Sequence, residues 1–180
     1  MKHVTPMSFA ASIVVASLVG LSGCRTMTPD KADFGNAKVI TDAIQRDYWD
    51  TKEQAYLDVI PRRTEGLPYA MMWANGIQFT VLSAAVQHDP TAYTADMKAF
   101  FEGLERFWNP RMNLYSAYFG GTDDVYYDDN QWMILAYVEA FEATGDPDYL
   151  AKARTVTEGC LAGVDGGGSY WHVDRKKYPT

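Results

Sequence analysis

The sequence predicts an all-α protein whose helices lie in two layers, and three observations carry that prediction. No stretch after residue 23 alternates apolar and polar residues with period two, so strands have no signal. Five segments repeat apolar residues at helical spacing instead. Along the chain these segments alternate between one-faced and broadly apolar character. The 180 residues, 47% hydrophobic and 14% aromatic, have a globular composition and the length of one domain.

The first segment, 34–49, sets Phe34, Ala37, Ile40, Ile44 and Tyr48 against Lys38, Asp42, Arg46 and Asp47. Segment 68–87 opens on Pro68, a good first-turn residue, and has no charged side chain, which predicts burial nearly all round. Asn75, Gly76, Gln78, Ser83 and Gln87 argue against a membrane span there. Segment 91–108 is one-faced, with Tyr93, Met97, Phe100, Phe101, Leu104, Phe107 and Trp108 opposed by Asp96, Lys98, Glu102, Glu105 and Arg106. Segment 129–144 is broadly apolar again through Trp132, Met133, Leu135, Ala136, Tyr137, Ala140 and Phe141. Gly145-Asp146-Pro147 stops it and starts 148–161, where Tyr149, Ala153, Val156 and Cys160 face away from Lys152, Arg154 and Glu158. Alternation of this kind puts 68–87 and 129–144 in an inner layer wrapped by the other three, as in an α/α toroid. The inner segments start about sixty residues apart, which excludes the 34-residue tetratricopeptide period. Loops 50–67, 109–128 and 162 onward then share one rim, and long loops on one face are where a site is expected.

The N-terminus reads as an address. After Lys2 and His3, the apolar run Phe9-Ala-Ala-Ser-Ile-Val-Val-Ala-Ser-Leu-Val-Gly is too short to span a membrane comfortably and has the form of a secretory signal. It ends in Leu21-Ser22-Gly23-Cys24, which resembles the lipobox of bacterial lipoproteins. That resemblance implies a signal peptide over 1–23, lipidation of Cys24, a polar tether over 24–33, and attachment to a bacterial cell envelope, in the periplasm or on the outer surface. Net charge is −7, and loss of residues 1–23 removes one lysine and no acid, leaving about −8. An acidic chain repels nucleic acid and anionic headgroups, so neither is an expected partner, and the membrane is reached through Cys24 alone. With Cys24 acylated, Cys160 has no disulfide partner and reads as a small core residue.

The chemistry concentrates at the end of the second loop, Gly120-Gly121-Thr122-Asp123-Asp124-Val125-Tyr126-Tyr127-Asp128-Asp129-Asn130-Gln131-Trp132. Two readings of Asp128-Asp129 stand side by side. Asp128 suits an N-cap, with Gln131 completing a capping box. Equally, glycoside hydrolysis needs one carboxylate as nucleophile or base and a second as proton donor. Neighbouring carboxylates separate those roles, because ionising one raises the pKa of the other.

Tyr127-Asp128-Asp129-Asn130-Gln131-Trp132 with Leu135-Ala136-Tyr137-x-x-Ala140, then Thr144-Gly145-Asp146-x-x-Tyr149-Leu150-x-x-Ala153 and Gly166-Gly167-Gly168-Ser169-Tyr170-Trp171, resembles glycoside hydrolase family 76. The resemblance implies an (α/α)6 fold and a retaining, endo-acting α-1,6-mannanase or related α-mannan-degrading activity, with a polysaccharide substrate, no cofactor and no metal. It makes Asp128 the nucleophile and Asp129 the acid/base, with Tyr127, Asn130 and Trp171 shaping the sugar site. Such a toroid has twelve helices and this chain offers five, so residues 34–180 are expected to be its N-terminal portion, inactive alone. Another α/α-toroid hydrolase or lyase, such as an unsaturated glucuronyl hydrolase, and a non-catalytic lipid-anchored glycan-binding protein are the alternatives. Only Arg62, Arg63 and Arg175-Lys176-Lys177 would meet an anionic substrate, which favours a neutral sugar. His88 and His172 are isolated and read as surface or packed residues; Asp123-Asp124 reads as a solvated loop or a weak calcium site; and Gly166-Gly167-Gly168 reads as a flexible turn beside Trp171.

Overall fold

In the computed structural model, residues 31–166 and 168–174 are described; the signal segment, Cys24 and the Arg175-Lys176-Lys177 group lie outside the described residues. Five helices make up most of what is described: α1 (Lys31–Tyr48), α2 (Met72–His88), α3 (Pro90–Gly103), α4 (Tyr127–Thr144) and α5 (Pro147–Leu161). The compact unit begins at Asn36. Local chemistry sets several of the boundaries. Asp89 and Asp146 each cap the helix that follows, accepting from Ala92 N at 3.0 Å and Asp148 N at 3.1 Å, and each is followed by a first-turn proline. Gly145 ends α4 at φ 71°, the left-handed conformation that a residue with a Cβ resists.

Several helix ends differ from expectation, three of them beside the loops. Helix α2 begins at Met72 rather than Pro68, because Leu57 bridges Tyr69, Ala70 N donates to Tyr56 O, and the segment before it is drawn out straight. Helix α3 ends at Gly103, and Leu104–Phe107 tighten into a 3-10 turn. Helix α4 begins at Tyr127, two residues early. Strands, for which there is no period-two signal, do occur among the described residues: β1 (Trp49–Asp50) pairs β2 (Ala55–Tyr56), β3 (Trp108–Asn109) pairs β4 (Leu114–Tyr115), and β5 (Val164–Asp165) pairs β6 (Gly168–Ser169), all antiparallel. Two residues are too few to alternate, so periodicity cannot reveal them.

The hairpins repeat a unit. Trp49-Asp50 and Ala55-Tyr56 recur as Trp108-Asn109 and Leu114-Tyr115. Asp50 Oδ1 accepts from Lys52 N, as Asn109 Oδ1 accepts from Arg111 N. Leu57 N donates to Tyr48 O, as Ser116 N donates to Phe107 O, each at 2.8 Å. Gln54 and Asn113 both hold positive φ, 52° and 55°, and each carbonyl lies against a glycine of the next outer helix. A Cβ on Gly103 would collide with Gln54 O, and one on Gly159 would meet Asn113 O at 2.7 Å.

The inner helices α2 and α4 lie side by side. A Cβ on Gly76 would sit 3.1 Å from that of Trp132, and one turn on the rings of Phe79 and Tyr137 are 5.2 Å apart. The residue numbers rise together, so the two helices run parallel and start at one rim. Phe79 is also ringed by Phe100, Phe101 and Tyr149 of the outer helices, at 5.4, 6.4 and 6.0 Å between centroids. The outer helices bury one stripe each, as patterned: Tyr93, Met97, Phe100 and Gly103 in α3, and Tyr149, Ala153 and Val156 in α5. Helix α1 packs through Thr41, Ile44 and Tyr48 and leaves the expected core residue Ile40 exposed. Burial of α2 and α4 is broad but not all round: Trp73, Ile77, Trp132 and Leu135 form an exposed apolar stripe.

Candidate active site

Each inner helix is tied at its start to the rim loop that follows the next outer helix. Met72 N donates to Ala117 O at 3.0 Å, and Tyr127 N donates to Trp171 O at 2.8 Å. The second bond carries Trp171 to the mouth of α4, although the two residues are far apart in sequence. Val173 N donates to Val125 O and Tyr126 bridges His172, so residues 171–173 lie along 125–127.

Asp128 and Asp129 fall inside the first turn of α4, not ahead of it. The N-cap residue is Tyr126, with no side-chain cap bond, and this overturns the capping-box reading of Asp128 and Gln131. Oδ1 of Asp128 is buried and meets no hydrogen-bond partner among the described residues. Asp129 is 8% exposed. Burial, and then the charge of Asp128 beside it, push its carboxyl up from 3.8 to about 6. The two acids therefore differ in environment while sharing the positive end of one helix, which favours a negative charge there.

The residues around the pair divide by role. Trp171 is 58% exposed, a free aromatic face at the mouth of α4. Tyr127 is in the core instead of lining a sugar site: a Cβ on Gly163 would lie 2.6 Å from its ring. Asn130, expected to touch substrate, has no exposed surface. Its Oδ1 accepts from Tyr115 N at 2.7 Å, and its Nδ2 donates to Tyr115 O at 3.0 Å and Tyr126 O at 2.8 Å. Asn130 thus clasps hairpin β3–β4 to the turn that carries the aspartates.

His172 is packed rather than isolated. Its Nδ1 accepts from Asp174 N, so the proton sits on Nε2 and is donated to Asp124 Oδ1 at 2.9 Å. Tyr126 stacks edge-on against the ring at 4.7 Å. Asp123 accepts from Asn109 Nδ2 and from Arg111. An open hollow of about 560 Å³ is lined by Met112, Asp123, Asp124, His172, Val173 and Asp174, without Asp128 or Asp129. Among the described residues no group of three or more His, Cys, Asp and Glu side chains is arranged to hold a metal ion.

No protein-family model matches the chain. In sequence it is 31% identical over 112 residues to the meiotically up-regulated gene 191 protein of Schizosaccharomyces pombe, a match covering 57% of this chain and 25% of that protein. In structure it superposes on a glycoside hydrolase family 76 mannosidase from Bacteroides thetaiotaomicron with a TM-score of 0.68 and 22% identity, over 77% of this chain and 40% of that one. The chain has that enzyme's fold. A sugar epimerase from a ruminal bacterium superposes with a TM-score of 0.63 at 11% identity, over 84% of this chain and 42% of the epimerase. The architecture is therefore that of the α/α toroids, and the chain spans well under half the length of each of these proteins.

Proposed function

We propose that this chain is the N-terminal part of a retaining glycoside hydrolase acting on α-1,6-mannan or a related α-linked polysaccharide. One observation carries the reading: two adjacent carboxyls at a helix start, one driven towards the protonated form by burial and the other with a buried oxygen, Oδ1, that meets no hydrogen-bond partner among the described residues. Asp129, protonated below about pH 6, supplies the proton to the departing sugar oxygen and recovers it from water in the second step. Asp128, with an unengaged oxygen at the positive helix end, attacks the anomeric carbon and forms the glycosyl ester that water then breaks. Their Cα atoms are about 3.8 Å apart, which suits the ~5–5.5 Å carboxyl spacing of retention better than the wider gap that admits a water. Exposed Trp171 offers a ring to a sugar C–H face. Lipidation of Cys24 and a bacterial cell-envelope location belong to the same proposal, and mass spectrometry of the mature N-terminus tests them: an unmodified Cys24 rejects the anchor.

The test of chemistry is a pair of variants in the protein that carries this segment. Asp128→Asn abolishes turnover on α-1,6-mannan with the fold intact. Asp129→Asn spares the first step on aryl mannosides with activated leaving groups, which need little protonation, and loses the alkaline fall in rate near pH 6. An active Asp128→Asn protein rejects the catalytic assignment, and an inverted anomeric product rejects retention.

A further inference from the structure

We propose that Trp73 is a sugar-stacking platform beside the aspartate pair, contributed by the neighbouring inner helix. The inference rests on the glycosidase reading above and adds to it a residue that the family resemblance does not supply. Three observations converge. Trp73 is 54% exposed at the second position of α2, and Asp128 holds the second position of α4. The starts of the two helices are stitched in the same way, Met72 N to Ala117 O and Tyr127 N to Trp171 O, so the positions are structural equivalents. The parallel register seen at Gly76–Trp132 and Phe79–Tyr137 extends back to set Trp73 level with the aspartates. Helices in such contact have axes on the order of 8–10 Å apart. That distance is about one sugar ring plus its stacking gap.

A large exposed ring is costly to hydrate unless something covers it, and at this place the covering group faces a site for a neutral glycan. Sugar C–H faces pack on indole, so the ring suits a neutral sugar. Trp73 from the start of α2 and Trp171 from the loop after α5 then flank the reacting bond, with Trp73 holding a sugar other than the one under attack. Its contribution is to binding and is felt equally before and in the transition state, so its loss raises KM and leaves kcat in place.

The probe is α-1,6-mannotetraose, titrated calorimetrically into the protein carrying Asp128→Asn, where it is not consumed. Adding Trp73→Ala weakens binding about tenfold, the size of one ring contact, while Trp73→Phe stays within about threefold of the parent. In the enzyme with Asp128 intact, Trp73→Ala raises KM by a similar factor at unchanged kcat. Melting temperature is common to all three forms, as expected of a half-exposed surface side chain. Parent-like affinity in Trp73→Ala overturns the inference and leaves the glycosidase reading standing. A parent that turns over no mannan and binds no tetraose overturns both.

Discussion

Asp129 has two opposed demands on it. Its position in the first turn of α4 favours the anion, yet burial and the neighbouring Asp128 raise its pKa from 3.8 to about 6. Between those values the folded chain keeps a proton that the unfolded chain has released, so stability falls as pH rises through this window. The contribution is fully present below about pH 4 and is lost above pH 6, a change of roughly 2–3 kcal/mol. Melting temperatures at pH 4 and pH 7.5 check this: the parent loses stability across the interval, and Asp129→Asn flattens the loss and melts higher than the parent at pH 7.5. A parent and variant with the same pH dependence would show that Asp129 titrates normally. The aspartate pair itself was legible in the sequence, because adjacent acids ahead of an apolar helix are conspicuous. Their unlike surroundings were not, since adjacent residues of one type carry no local mark of which one tertiary packing will bury.

At the scale of elements, the site is held by joints between short hairpins and helix ends. Asn130 makes three hydrogen bonds to main-chain groups of Tyr115 and Tyr126, and nothing in its local sequence distinguishes that duty from sugar contact. Asn130→Ala leaves the Tyr115 N–H and C=O buried without their partner and costs roughly 2–4 kcal/mol, measured by urea unfolding. Turnover falls with it, because the β3–β4 hairpin no longer fixes the aspartate turn. Asn130→Asp recovers little, since it keeps the bond accepted from Tyr115 N, loses both donated bonds and adds a charge beside Asp129. A fully stable Asn130→Ala protein would remove the clasp from this account. Helix existence and the stripe buried by each outer helix follow from apolar spacing, which is why α3 and α5 were legible through Tyr93, Met97, Phe100, Tyr149 and Val156. The start of α2 was not, because Pro68 satisfies the rule for a first turn while the bonds that straighten Tyr69 and Ala70 come from Leu57 and Tyr56. A legible signal for the hairpins did exist, in the repeat of Trp-Asp/Asn and a following Tyr at Trp49–Tyr56 and Trp108–Tyr115.

Over the whole molecule, the alternation of one-faced and broadly apolar helices reported the two layers correctly. It overstated the burial of the inner one. Trp73, Ile77, Trp132 and Leu135 stand on a single exposed stripe along α2 and α4. Contiguous apolar surface of this kind binds hydrophobic dyes and promotes association. The 180-residue chain is therefore expected to enhance dye fluorescence strongly, and Leu135→Glu to reduce that signal without lowering the melting temperature; a chain dark to the dye would mean the stripe is covered. The rim stitching has a consequence of another kind. First-turn amides of a helix have no acceptor within it and exchange freely with deuterium in an isolated helix. The Tyr127 amide is instead protected by Trp171 O, a carbonyl from beyond the end of α5. Its exchange rate is a clock on the docking of residues 171–173, separate from the unwinding of α4, whose later amides bond within the helix. A single amide thus distinguishes a site that opens locally from a chain that unfolds.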